Sequence, residues 1–209
     1  MILVVGGIKG GSGKTTIATN LCQMRASKSR KVLLVDADDQ ESAHEWFLQR
    51  DAKSYENSFA MVSMSGRAVY SNLQKMKHDY DDIIVDSGGR DSVSQRAAIS
   101  AADILVLPFK PRSLDIWTLS PVKRLIEECV NHNLKCYGFI NQADFKGKNN
   151  DEALDVLKEC DLIKTLPLLV CNRVAFANAS ANGLSVFETI PRDDKACKEM
   201  QDLHDAIYN

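Results

Sequence analysis

The sequence predicts one α/β domain built on a doubly wound, mostly parallel sheet flanked by helices. Short apolar runs recur along the whole chain, longer segments of helical period separate them, and the first run opens directly into a glycine-rich turn. A chain of 209 residues with 44% hydrophobic content suits one sizeable core spanning residues 1–209 better than two half-sized ones.

The strands are expected at Ile2–Val5, Val32–Val35, Ile83–Val85, Ile104–Leu107, Tyr137–Ile140 and Leu166–Val170, with Ala60–Ser63 a weaker candidate. Each is a short apolar run rich in β-branched residues, as strands buried on both faces are. Between them Thr15–Ala26, Glu41–Gln49, Gly66–His78, Ser92–Ser100, Leu114–Asn131, Asp151–Cys160 and Asp193–Ala206 carry helical periodicity. The prolines at 108 and 111 interrupt strand pairing after Leu107 and fix the chain's exit. No repeat, low-complexity tract or linker divides the chain, and Asp144–Asn150 is its most polar loop. Sheets of this kind bind ligands beyond the carboxyl ends of their strands, so the loops after the first three clear strands matter most.

Bulk properties exclude several classes. The formal charge is −2, from 26 basic and 28 acidic residues, so no global field announces a polyanionic partner. Six cysteines at 22, 129, 136, 160, 171 and 197 form no C-x-x-C pair or zinc spacing and read as reduced core thiols. No apolar run approaches the ~20 residues of a membrane span, and the chain opens on a strand rather than a leader; the expected compartment is the cytosol.

Residues 9–16 read Lys9-Gly10-Gly11-Ser12-Gly13-Lys14-Thr15-Thr16. Glycines at 10, 11 and 13 let successive N–H groups turn inward around phosphate oxygens, and the following helix adds the positive end of its dipole. Lys14 reaches the β- and γ-phosphates, and the Thr15 hydroxyl binds Mg²⁺. Two acidic loops follow at neighbouring strand ends: Asp36-Ala37-Asp38-Asp39-Gln40 and Asp86-Ser87-Gly88-Gly89. Beside a Mg²⁺–triphosphate such carboxylates hold metal and orient water, although Asp86 could instead cap the helix near Ser92.

The phosphate loop has Ile8 where the common pattern has its first glycine, and Lys9 beside it. The string K-G-G-x-G-K-T-T resembles the deviant Walker A motif of the ParA/MinD family of ATPases. Ser42, Trp46 and the stretches 104–115, 172–178 and 183–187 extend the likeness to its small plasmid-partition, ParF-like branch, over residues 1 to roughly 200. The resemblance implies a P-loop NTPase fold and a Mg²⁺-dependent ATPase cleaving ATP to ADP. By it Lys9 reaches across an ATP-bound homodimer to the partner's phosphates, Asp36 holds Mg²⁺ through water, Asp38 orients the attacking water, Asp86 is a further Mg²⁺ ligand, and a Gly88 N–H senses the γ-phosphate. Position 39 departs, with Asp where the family has Pro, leaving the switch backbone less constrained. Asn141-Gln142 follows a strand, and Asn141 is the candidate for the adenine edge because an amide both donates and accepts.

The function so implied is partition of a plasmid or other DNA cargo. An ATP dimer binds DNA without sequence preference, associates with the nucleoid, and is reopened by hydrolysis that a small centromere-binding, ParB-like protein stimulates. Candidate DNA contacts are Arg173, Arg192, Lys195 and Lys198. The alternative is a MinD-like or cargo-positioning ATPase acting on a membrane or a protein assembly; the acidic tail from Cys197 to Asn209 argues against a membrane. An iron–sulfur relative is disfavoured by the cysteine spacing.

Overall fold

A computed structural model describes residues 1–53, 55, 58–113, 116–129, 131, 133–146 and 148–209. In chain order these fold as β1 (Ile2–Val5), α1 (Lys14–Ala26), β2 (Val32–Ala37), α2 (Ser42–Ala52), β3 (Ala60–Ser63), α3 (Ala68–Met76), β4 (Asp82–Ser87), α4 (Val93–Ala101), β5 (Ile104–Phe109), a 3₁₀ turn (Pro111–Ser113), α5 (Ile116–Glu128), β6 (Lys135–Ala143), α6 (Asn149–Lys158), β7 (Lys164–Cys171), α7 (Val174–Ala181) and α8 (Asp194–Tyr208). Within the expected helix Leu114–Asn131, positions 114, 115 and 130 lie outside the described residues.

All seven strands pair in parallel, in the order β3-β2-β4-β1-β5-β6-β7. The four central strands β2, β4, β1 and β5 are buried along their whole length, which is why they read as continuous apolar runs. β3 at one edge is half-exposed, which explains its weak signal in the sequence. Helices α3, α4, α5 and α6 contribute to the core on one face, and α1, α2, α7 and α8 to the core on the other. Two expectations are corrected. β5 continues through Pro108 to Phe109, because β1 stops pairing at Val5 opposite Val106 and leaves no strand needing the missing donor. And α7, with four alanines in the eight residues of VAFANASA, is a helix that was not expected.

Because β1, β2 and β4 are neighbours, their carboxyl ends converge. The register sets Val5 beside Asp86 and Asp86 beside Asp36. The motif-bearing loops therefore meet at one edge of the sheet.

Candidate functional site

The loop from Gly6 to Gly13 leaves β1 and turns into α1. Gly13, at φ +88, caps that helix in the left-handed region, and a methyl group there would overlap Asn141 Nδ2. The loop's carbonyls are held from outside: Asn141 Nδ2 donates to the Ser12 carbonyl at 2.6 Å and Gln142 Nε2 to the Gly11 carbonyl at 3.0 Å. With the carbonyls so directed, the N–H groups are free to face the cleft. Lys14 is buried, and its ammonium donates to the Lys9 carbonyl at 3.3 Å. Burial lowers its pKa, while Asp86 and then Asp38 draw it back towards the charged form.

The acidic loops close the opposite wall. Asp36 is buried and accepts from the Asp38 N–H at 3.0 Å and the His44 N–H at 2.9 Å, so it fastens the loop to the start of α2. Burial raises its pKa and these bonds oppose the rise. Asp38 Oδ1 accepts from the Gln40 N–H at 3.1 Å, and the Asp38 carbonyl from the Glu41 N–H at 3.0 Å. The turn that lacks the family's proline is held by these hydrogen bonds instead.

Asp86 is fully buried, and neither carboxylate oxygen has a hydrogen-bond partner. Desolvation pushes its pKa to about 7; the Thr15 hydroxyl and Lys14 oppose this, the former approaching without closing a full hydrogen bond, while Asp36 and Asp38 reinforce it. Ser92, not Asp86, caps α4, its hydroxyl accepting from the Gln95 N–H at 3.1 Å. A buried carboxylate with both oxygens unused, beside a threonine hydroxyl and a second carboxylate, is the hard oxygen-donor set that suits Mg²⁺. Among the described residues no group of three or more His, Cys, Asp or Glu is arranged for a metal, so an ion here would complete its shell with water and phosphate.

The loop after β4 packs against both the loop after β2 and the phosphate loop. A Cβ on Gly89 would come within 2.9 Å of Gly10 Cα and N, and one on Gly88 within 3.2 Å of Asp38 Oδ1. Between the loops opens a cleft of about 980 Å³ lined by Gly10, Gly11, Gly13–Thr16, Asp38–Gln40 and Gly88–Arg90, with α2 and α7 as its outer rim. That volume is large enough for a nucleotide-sized ligand.

Of the expected residues, Gly10, Gly11, Gly13, Lys14, Thr15, Thr16, Asp38 and Gly88 line the cleft, and Ser12, Asp36 and Asp86 are buried in the loops and strand ends around it; Lys9 and Asn141 lie elsewhere. Lys9 is exposed and is not among the residues that line the cleft. Asn141 is 4% exposed and fixes Ser12 rather than facing the cleft; Gln142 lines the wall in its place. Sequence reasoning missed Arg90, Glu45 and Gln49 on the cleft wall, and Arg50, which no local signal marks. Arg50 is 1% exposed, pairs with Glu188 at 2.6 Å and donates to the Gly183 carbonyl at 3.1 Å. The candidate DNA contacts do not form an unpaired patch. Arg173 is bound to Glu199 at 2.6 Å, Lys198 to Asp202 at 2.9 Å and Arg192 to Asp194 at 3.6 Å, while Lys195 is exposed. The apolar face of α8 is buried in the core, and no helix of the described residues is long and apolar enough to cross a membrane.

A parallel sheet with a glycine cradle at its first strand's end, a buried lysine opening the following helix and buried carboxylates at two neighbouring ends defines a P-loop nucleotide-binding domain. The family model of the CobQ/CobB/MinD/ParA nucleotide binding domain matches residues 3–202, and the chain belongs to that family. A relative, maintenance of carboxysome distribution protein A of Halothiobacillus neapolitanus, is 27% identical over 204 residues, covering 96% of this chain and 93% of its own. Protein ParA of Rhizobium radiobacter is 31% identical over 129 residues, 61% of this chain and 56% of its own. Among solved structures, the ATP complex of a Cyanothece McdA variant superposes with a TM-score of 0.78 at 20% identity, over 99% of this chain and 95% of that one.

Proposed function

We propose that this chain is a Mg²⁺-dependent ATPase that works as a dimerising switch to position an intracellular cargo. The observation that carries it is the phosphate cradle of residues 10–16 facing the acidic loops across the cleft, with the exposed Lys9 outside the cleft lining. Loop N–H groups and Lys14 would hold the β- and γ-phosphates, and Thr15, Asp36 and Asp86 would hold Mg²⁺, whose charge would offset that developing on the phosphoryl oxygens. Asp38, half-exposed on the cleft wall, orients water for attack on the γ-phosphorus; the bond to the β-phosphate oxygen breaks, and ADP and phosphate leave. Lys9 of each protomer reaches the phosphates of the other, so only ATP closes the dimer. Gly88, in the loop packed against Asp38, transmits the loss of the γ-phosphate.

The closed dimer binds DNA without sequence preference, and a partner protein carried by the cargo stimulates hydrolysis and releases it. Two cargoes fit. Plasmid or chromosomal DNA, presented by a ParB-like protein, follows from the partition motifs. The near full-length similarity to a protein named for carboxysome distribution favours a protein assembly, with DNA as the track. A low-salt gel shift with ATP and with ADP, paired with sedimentation of wild type and Lys9→Ala, tests the shared step. ATP should raise both DNA binding and dimer content in wild type, and Lys9→Ala should bind ATP yet remain monomeric. DNA binding indifferent to nucleotide would reject the switch.

A further inference from the structure

The wall of the cleft opposite the acidic loops comes from the end of β6, where the pairing with β7 shifts register between Asn141 and Ala143. At the centre of that irregularity Gln142 takes φ +53, left-handed backbone that a residue bearing a Cβ rarely adopts. The displacement has a result: it aims the Gln142 side chain over the phosphate loop, where Nε2 donates to the Gly11 carbonyl at 3.0 Å and lies 3.4 Å from where a Cβ on Gly13 would be. Asn141, one residue earlier, holds the neighbouring Ser12 carbonyl. Two consecutive amides thus pull two consecutive carbonyls outward, and a peptide unit whose carbonyl is fixed outward presents the following N–H inward. Strained backbone persists where the surroundings over-determine it, and here what it delivers is the shape of the anion cradle.

We infer that Gln142 is a positioning residue for nucleotide, a strap that pre-forms the phosphate loop through the Gly11 carbonyl at the cost of local backbone strain. Nothing in its geometry requires it to touch the nucleotide. The inference rests on the reading of residues 9–16 as an ATP site.

Two substitutions separate strap from scaffold. Gln142→Gly removes the amide and relieves the left-handed strain; Gln142→Asn tolerates that backbone but is one methylene too short to reach Gly11. Both variants and wild type are titrated with ATPγS and Mg²⁺ by calorimetry and unfolded in urea without nucleotide. Both variants should bind about 3- to 10-fold more weakly, the loss of one loop-fixing hydrogen bond. The urea midpoint of Gln142→Gly should equal or exceed that of wild type. Wild-type affinity in both variants overturns the strap, and so does a Gln142→Gly protein whose midpoint falls along with its affinity, since that marks a merely structural residue. Wild-type protein that binds no ATPγS would instead reject the nucleotide reading beneath it.

Discussion

Asp86→Asn should make the nucleotide-free protein more stable while disabling it. In the native fold the carboxyl is fully buried with both oxygens unpartnered, and its pKa stands at about 7 against an ordinary 3.8. A carboxyl whose folded pKa is raised binds its proton more tightly folded than unfolded, so it opposes folding increasingly as pH rises from near 4 to near 7, and by a constant amount above that. At ~1.4 kcal/mol per pH unit the opposition reaches at most about 4 kcal/mol. The asparagine amide must itself be buried, at about 1–2 kcal/mol, leaving a net gain of roughly 2 kcal/mol and a rise in Tm of about 4–8 °C in a domain this size. Scanning calorimetry in EDTA at pH 8 and at pH 5 reads both terms. The advantage of the variant should be largest at pH 8 and shrink towards acid. With Mg²⁺ and ATPγS the order should reverse, because the wild type gains a ligand that the variant holds poorly. A variant less stable than wild type at both pH values, or a gain that does not change with pH, would refute the account of Asp86 as an unsatisfied buried carboxylate.

Three further outcomes are expected. Lys14→Ala should reduce ATP affinity at least 100-fold in calorimetry without unfolding the protein, because the charge lost sits at the centre of the cradle. Asp38→Ala should bind ATP normally but slow turnover by about 100-fold or more, accumulating the dimer in sedimentation; residual fast turnover would move the water-orienting role to the adjacent Asp39. Arg50→Met should lower stability by about 2–4 kcal/mol in urea, since it removes the charge paired with Glu188 and the donor to the Gly183 carbonyl, with little change in ATP affinity for the protein that remains folded.

The fold was legible because its central strands are buried on both faces and so spell themselves as β-branched runs, and because each glycine-bearing loop follows such a run. The site was legible to the extent that its chemistry is local in sequence: a cradle needs consecutive glycines, and carboxylates at strand ends stand out. What escaped is what tertiary contact decides. The 138-residue separation of Arg50 from Glu188 leaves no periodicity to read, and a buried arginine contradicts composition alone. The left-handed backbone of Gln142 depends on where β7 stops following β6, and a glutamine gives no hint of it. Asn141, a candidate for the adenine edge, donates through Nδ2 to the Ser12 carbonyl, a contact between residues 129 apart in sequence.

The anchoring of α2 has a mechanical meaning. Arg50 bolts its far end to Gly183 and Glu188, Trp46 donates to the Leu184 carbonyl, and the same segment is tied to α1 where the Asn20 side chain accepts from the Val186 N–H at 2.9 Å. The helix behind the first switch is therefore a post rather than a lever. The loops on either side of the cleft, 38–41 and 88–92, lack such anchors to the far end of α2, so the proposed switching would fall to them rather than to the helix.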